Sequence, residues 1–337
     1  MGTALKNKKH VITANKDLLA VHLELLENLA ELNGFALKFE ASVAGSIPIV
    51  NAINNGLNAN NISKFMGILN GTSNYILSKM THEQTSFEDA LDEAQRLGYA
   101  EADPTDDVEG VDAARKVVIT SYLSFNQVIK LNDVKRVGIS NTTLSDINAA
   151  KKLNYKIKLI GKGTYENRQV TASVEPMLIH ETHQLAAVEN EYNAIYVIGD
   201  AVGDTMIYGK GAGSLATGSA VVSDLLNVAL FFESNLHTLS PHFELKTEKT
   251  REMINGEELV AIHEKSNYYV VINNYKLSLV KLENEIKKHL PLHKSLQLVE
   301  RDCETSAVIV IGIDQSPEKV LNKAGFNVEK VYPVEGV

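Results

Sequence analysis

Residues 10–34 read HVITANKDLLAVHLELLENLAELNG. The β-branched opening, 10–14, is a short strand. Asn15 and Asp17 then open a helix that runs through Ala30. Its apolar stripe is Leu19, Leu23, Leu26 and Ala30, widened by Leu18, Leu25 and Leu29. Asn33-Gly34 ends it. Residues 36–41 form the next strand, with a loop to Pro48. Strand, helix, strand in this order predicts a parallel sheet. Residues 3–9 read as the tail of a polar helix. A sheet of two or three strands cannot bury both faces, so the chain reads as a fold cut in the middle.

Downstream the pattern changes. FMGILNGTSNYILSKM (65–80) reads as strand, glycine turn and helix. A helix over 86–97 is closed by Gly98. An acidic loop and a helix over 111–123 follow. Residues 134–209 alternate short strands with one helix near 143–153. VIGDAVGDTMIYGKGAGSLATGS (197–219) is a small-residue stretch opening a last helix through Phe232. Residues 236–256 are a polar linker. Beyond them come a strand (268–272), helix (277–289), two strands (296–301, 306–313), helix (316–324) and strand (328–332), the ferredoxin-like order. The expected class is α/β: a partial Rossmann-like parallel sheet over 1–50 completed by about 205–235, an α+β segment over 51–204, and a ferredoxin-like domain over 257–337.

The bulk properties exclude several functions. The 337 residues are 44% apolar and 22% charged, with a net charge of −9. No basic block offers phosphates a concentrated positive face, so no nucleic-acid partner is expected. The charge has the wrong sign for an anionic membrane surface, and no apolar run approaches the roughly 18 residues of a membrane span. The single cysteine, Cys303, excludes an intrachain disulfide and a cysteine-based metal site. A reducing cytoplasm is the expected location. The ten histidines include no zinc-binding H-E-x-x-H.

Four stretches could carry chemistry. In GYAEADPTDDVEGVDAARK (98–116), six carboxylates fall between Glu101 and Asp112. A solvated acidic loop is the ordinary reading. However, Asp112 and Lys116 share a helix face, and that helix is apolar almost all round, hence buried. A buried lysine beside a carboxylate can donate or accept a proton. Lys16 follows the first strand, where ligands of open parallel sheets lie; an ordinary helix-start lysine is the alternative. Gly209, Gly211 and Gly213 precede a helix, so backbone amides could approach a ligand; close packing would also explain them. Glu40 with the small residues 41–48 could supply oxygens to a hard cation, or be a plain loop.

Together these stretches resemble homoserine dehydrogenase. The resemblance rests on VITANKDLLA (11–20), FEASVAGSIPIV (39–50), GILNGTSNYILSKM (67–80), LGYAEADPTDDVEGVDAARK (97–116) and GDAVGDTMIYGKGAGSLATGSAVVSDLL (199–226), spanning about 9–230. It implies NAD(P)H-dependent reduction of aspartate 4-semialdehyde to homoserine, in the biosynthesis of threonine, isoleucine and methionine. It makes Lys116 the lysine that exchanges the substrate proton. Asp112 and Glu101 become the acids that hold the substrate amino group, and Lys16 a catalytic lysine near the nicotinamide. Gly98 and Gly213 lie in segments that approach the NADP or NAD. Glu40 with Val43, Gly45 and Ile47 matches a monovalent cation site, taken as Na+; Ser46 stands where glycine is usual. The 51–204 segment becomes a catalytic and dimerisation domain in a homodimer or homotetramer.

The C-terminal domain resembles the regulatory ACT domain, with 273–276 (NNYK) in place of the usual Pro-Gly turn. Relatives carry a G-x-G-x-x-G half ahead of this start. Without it, weak cofactor binding and little or no turnover are expected. The rival expectation is a non-catalytic remnant serving as an ACT-type dimerisation or amino-acid-sensing module.

Overall fold

The computed structural model describes residues 1–237, 266–273, 278–290, 295–301, 305–313 and 316–335. The linker expected over 236–256 lies, past His237, outside the described residues, as do 274–276 of the 273–276 turn and Cys303.

The chain opens with helix α1 (Gly2–Lys6), strand β1 (Val11–Ile12), helix α2 (Lys16–Asn33) and strand β2 (Leu37–Lys38). β1 and β2 pair in parallel as a separate two-stranded sheet. The caps of α2 are the ones the sequence advertises. The Asn15 side chain accepts from Leu18 N, and Gly34 closes the helix in the left-handed conformation at φ +71. Leu19, Leu23, Leu26 and Ala30 are buried, each leucine stabilising the fold by about 1.5–3 kcal/mol. Leu25 does not join them: it is exposed, and only Leu18 and Leu29 are half-buried. The strand expected over 36–41 also stops early. From Glu40 to Ser42 the chain turns into a 3₁₀ helix, because the Glu40 carboxylate accepts from Val50 N, Asn51 N and Asn51 Nδ2 and folds the chain back on itself.

The short helix α3 (Ile49–Asn51) leads to strand β3 (Ile62–Ile68), helix α4 (Gly71–Glu83) and helix α5 (Phe87–Arg96). A four-residue helix α6 (Thr105–Val108), inside the expected acidic loop, precedes α7 (Val111–Phe125). Strand β4 (Lys135–Arg136) and helix α8 (Leu144–Lys152) follow. The strands after α8 are long rather than short: β5 (Tyr155–Glu166) and β6 (Gln169–His180), twelve residues each, make a hairpin around Asn167-Arg168, both at positive φ. The stretch over 197–219 is itself a hairpin, β7 (Tyr192–Gly199) with β8 (Gly203–Lys210), before helix α9 (Ser214–His237). The last segment is β9 (Ser266–Asn273), α10 (Leu279–His289), β10 (Ser295–Glu300), β11 (Thr305–Ile313), α11 (Pro317–Lys323) and β12 (Asn327–Glu335). Its order is the strand and helix order expected from the sequence.

β10-β11-β9-β12-β6-β5-β3-β7-β8 form one mixed sheet, with β4 pairing β6 off this path. The segments on either side of the expected linker are joined directly, because β12 runs parallel to β6 with Val334 opposite Leu178. Ion pairs brace the seam. Lys64 holds Glu335 at 2.6 Å, and Asp146 of α8, fully buried, meets Arg301 at 2.9 Å and Lys330 at 2.7 Å. α7 packs on β5 and β6 and also against α2. That helix therefore connects the large sheet to the parallel pair. No helix among the described residues is long and apolar enough to cross a membrane.

Candidate active site

α7 carries the central pair. Its all-round apolar sequence is buried on nearly every side, and this drags Asp112 and Lys116 inside with it. Lys116 is only 9% exposed. Its Nζ donates to Asp112 Oδ2 at 2.7 Å and to the Leu69 carbonyl at 2.7 Å. An ammonium has three protons, so a third donor remains on Lys116. Burial works to raise the Asp112 carboxyl. The Lys116 ammonium, the Asn70 amide and Lys16 outweigh it and hold the group down at about 2. Asp112 is therefore ionised across the neutral range.

Lys16 joins from the other sheet. It is the first residue of α2, just after β1, and its Nζ lies 3.3 Å from Asp112 Oδ1. One carboxylate thus holds two ammonium groups, one per oxygen. α4 provides the opposite wall. Asn70, its N-cap, accepts from Ser73 N and donates through Nδ2 to Asp112 Oδ2 at 3.0 Å and Asp107 Oδ1 at 2.7 Å. Burial pushes the Asp107 carboxyl up from the ordinary aspartate value. Thr72 donates to the Tyr99 carbonyl at 2.6 Å, tying the 98–103 loop to the start of α4.

The six carboxylates have separate fates. Asp112 and Asp107 enter the cluster. Asp106 pairs with Arg115, Asp103 caps Thr105, and Glu109 accepts from Ser140. Glu101 is exposed, and its carbonyl, not its carboxylate, accepts from Gln95. The structure therefore brings Lys116, Lys16 and Asp112 together and leaves the Glu101 side chain outside the cluster. Sequence reading missed Asn70, Thr72 and Asp107. Asn70 could have been found as an N-cap three residues before Ser73. Asp107 was hidden among like neighbours.

The glycines divide by environment. A Cβ on Gly211 would sit 2.1 Å from the buried Asn193 amide, and one on Gly45 would sit 2.4 Å from the Gly211 carbonyl oxygen. Packing explains those two. Gly98 (φ +79) and Gly213 (φ +111) have open space where a Cβ would stand, which leaves room for a ligand against the backbone. At Glu40, both oxygens already accept N–H donors, and Ile47 O accepts from Ile49 N. A cation there would draw chiefly on the carbonyls of Val43 and Gly45. Among the described residues no group of three or more His, Cys, Asp or Glu could hold a metal.

Comparison with known proteins adds an independent line. The sequence model described as homoserine dehydrogenase matches residues 48–226, and the one described as homoserine dehydrogenase C-terminal domain matches 265–337. The chain is 48% identical over 266 residues to the homoserine dehydrogenase of Bacillus subtilis, covering 78% of this chain and 61% of that one. It is similar to a crystal structure of Staphylococcus aureus homoserine dehydrogenase at pH 8.5, with TM-score 0.83 and 69% identity, over all of this chain and 77% of that one. A hyperthermophilic archaeal homoserine dehydrogenase in complex with NADPH matches with TM-score 0.61 and 28% identity, over 68% of this chain and 67% of that one. The chain spans 61% of the length of the Bacillus subtilis relative.

Proposed function

This chain belongs to the homoserine dehydrogenase family, and on that premise we propose that its α7 site serves the NAD(P)H-dependent reduction of L-aspartate 4-semialdehyde to L-homoserine. The observation that carries the proposal is the buried Lys116 ammonium, anchored by two acceptors and left with one free donor. A bound nicotinamide supplies the hydride to the aldehyde carbon. As the carbonyl oxygen gains charge, Lys116 Nζ gives it a proton, and the hydroxyl is formed. Asp112 keeps Lys116 aimed. The resulting amine regains its proton from solvent or through the Asp112–Lys16 pair.

Asp107 and Asp112, with Glu101 at the edge, suit a substrate that carries an ammonium group. Lys16 offers a second positive charge on the reacting oxygen's side. The open backbone at Gly98 and Gly213, and the position of Lys16 after β1, fit the nicotinamide end of NAD(P). The archaeal relative, solved with NADPH, supports that choice. A monovalent cation held chiefly by the Val43 and Gly45 carbonyls, with Ile47 and Glu40 beside them, would brace the turn between β2 and α3. The strand order β10-β11-β9-β12 supports reading 257–337 as an ACT-like domain, and the family supports a homodimer or homotetramer in the cytoplasm.

The direct test is a steady-state assay of the chain with NADPH and aspartate semialdehyde, and of homoserine oxidation in reverse. Turnover in both directions is expected on this reading, in place of the weak cofactor binding and low turnover expected from the sequence. No consumption of NADPH or NADH with the semialdehyde would overturn the assignment.

A further inference from the structure

Arg115 precedes Lys116 on α7 and points to a different task. Its Nε lies 2.7 Å from Asp17 Oδ1, and its Nη1 lies 2.6 Å from Asp106 Oδ2. Asp17 is the neighbour of Lys16 in the first turn of α2. Asp106 is the neighbour of Asp107 in α6. One planar guanidinium therefore ties together the two segments that deliver a lysine from one side and a carboxylate from the other. Asp112 lies between them, bonded on one oxygen to Lys16 and on the other to Asn70, which itself holds Asp107.

The partners show what this fork is for. Both carboxylates are 62% exposed, while the Arg115 side chain is 20% exposed. Exposed ion pairs stabilise a fold little, because water serves each charge nearly as well. The geometry is more specific than stability requires. The two nitrogens address two different elements, at 2.6–2.7 Å each, and only a rigid planar donor can do that in a fixed direction. α6 has four residues, too few to hold its own orientation without outside contacts. α2 begins right after a two-residue strand. Both segments need an external tie.

We infer that Arg115 is a positioning residue, whose fork to Asp17 and Asp106 sets the distance between the Lys16 and Asp107 flanks of the Asp112–Lys116 pair. It touches none of the reacting atoms. The inference builds on the proposed reaction only in its kinetic consequence; its geometric claim stands apart.

The test uses the full chain with Arg115→Gln and Arg115→Lys, read in two ways. The first readout is trace acylation of lysines followed by peptide mass spectrometry, which needs no turnover. Releasing the start of α2 should raise Lys16 labelling several-fold in both variants. Lys116, held by α7 and the Leu69 carbonyl, should be unchanged. The second readout is kinetic. With aspartate semialdehyde, kcat should fall by about 10-fold or more in both variants, with KM and melting temperature little moved. The lysine variant must fail alongside the glutamine one, since a point charge cannot span both carboxylates. Unchanged Lys16 labelling would overturn the inference, and so would wild-type kinetics in Arg115→Lys. Raised labelling in a chain without turnover would uphold the positioning role and reject the proposed reaction instead.

Discussion

At Asp112 a single carboxylate faces two ammonium groups and an amide, and its ionisation is linked to stability. Its folded value near 2 lies below the ordinary 3.8. The ionised form therefore favours the folded state. That contribution, about 2 kcal/mol, is complete above roughly pH 4 and is lost as pH falls through about 2. Asp107 acts in the opposite sense: burial raises its carboxyl, so ionising it works against folding and protonating it relieves that strain. Replacing Asp112 with Asn should flatten the fall in stability between about pH 4 and pH 2. It should also cost about 3–5 kcal/mol at neutral pH, because two cations lose their buried counter-charge. Denaturant melts across that pH range measure both. An unchanged acid limb would mean that another group controls it.

The residue-level reading of the sequence was strongest where spacing alone placed groups on one face. Asp112 and Lys116 are four apart on a helix with no exposed side to spare, so their pairing follows from periodicity. Lys16 was placed by the strand before it. The Leu69 carbonyl was not visible, since a backbone acceptor leaves no trace in residue type, whereas Asn70 was signalled only by its N-cap spacing to Ser73.

At the scale of elements, the fit of α7 onto β5 depends on glycines in the strand. A Cβ on Gly161 would stand 2.6 Å from Val117 Cγ2 and 2.8 Å from Leu69 Cδ1. Val117 is buried on α7, and Leu69 carries the carbonyl that Lys116 donates to. Gly161→Ala should therefore cost about 1–3 kcal/mol by overpacking and lower kcat more than it raises KM, as α7 is pushed off its seat. Urea titration and steady-state kinetics check the two effects; a stable variant with normal kcat would show that α7 has slack. The hairpins were harder to read than the helices. The Asn167-Arg168 turn has positive φ at both residues without a glycine to announce it. The Gly203 turn was hidden in a small-residue run that reads only as the opening of the last helix. Helix caps such as Asn15, Ser86 and Thr143 stand at fixed offsets from their apolar stripes, so the helices were legible within a few residues.

At the scale of the molecule, the two segments on either side of the expected linker share one sheet rather than standing apart. The seam is short in backbone terms, two residue pairs between β12 and β6, but Asp146 carries Arg301 and Lys330 inside it. α8, which bears Asp146, packs on α4, the element that walls the candidate active site, and on β5, which seats α7. No local pattern could foretell this, because Val334 and Leu178 lie 156 residues apart, and pairing at that separation depends on which edge is left free after hairpins form. The strand and helix order of the last segment was legible from its alternation. Its attachment to β6 was not.

The central claim is that the Lys116 ammonium delivers the proton that completes reduction. Its most direct measure is kcat for aspartate semialdehyde in Lys116→Gln against wild type, with circular dichroism confirming an unchanged fold. The account predicts a loss of about 10²–10⁴-fold in kcat with a small change in KM. A variant that keeps kcat within about threefold would contradict it, since the proton would then come from another group.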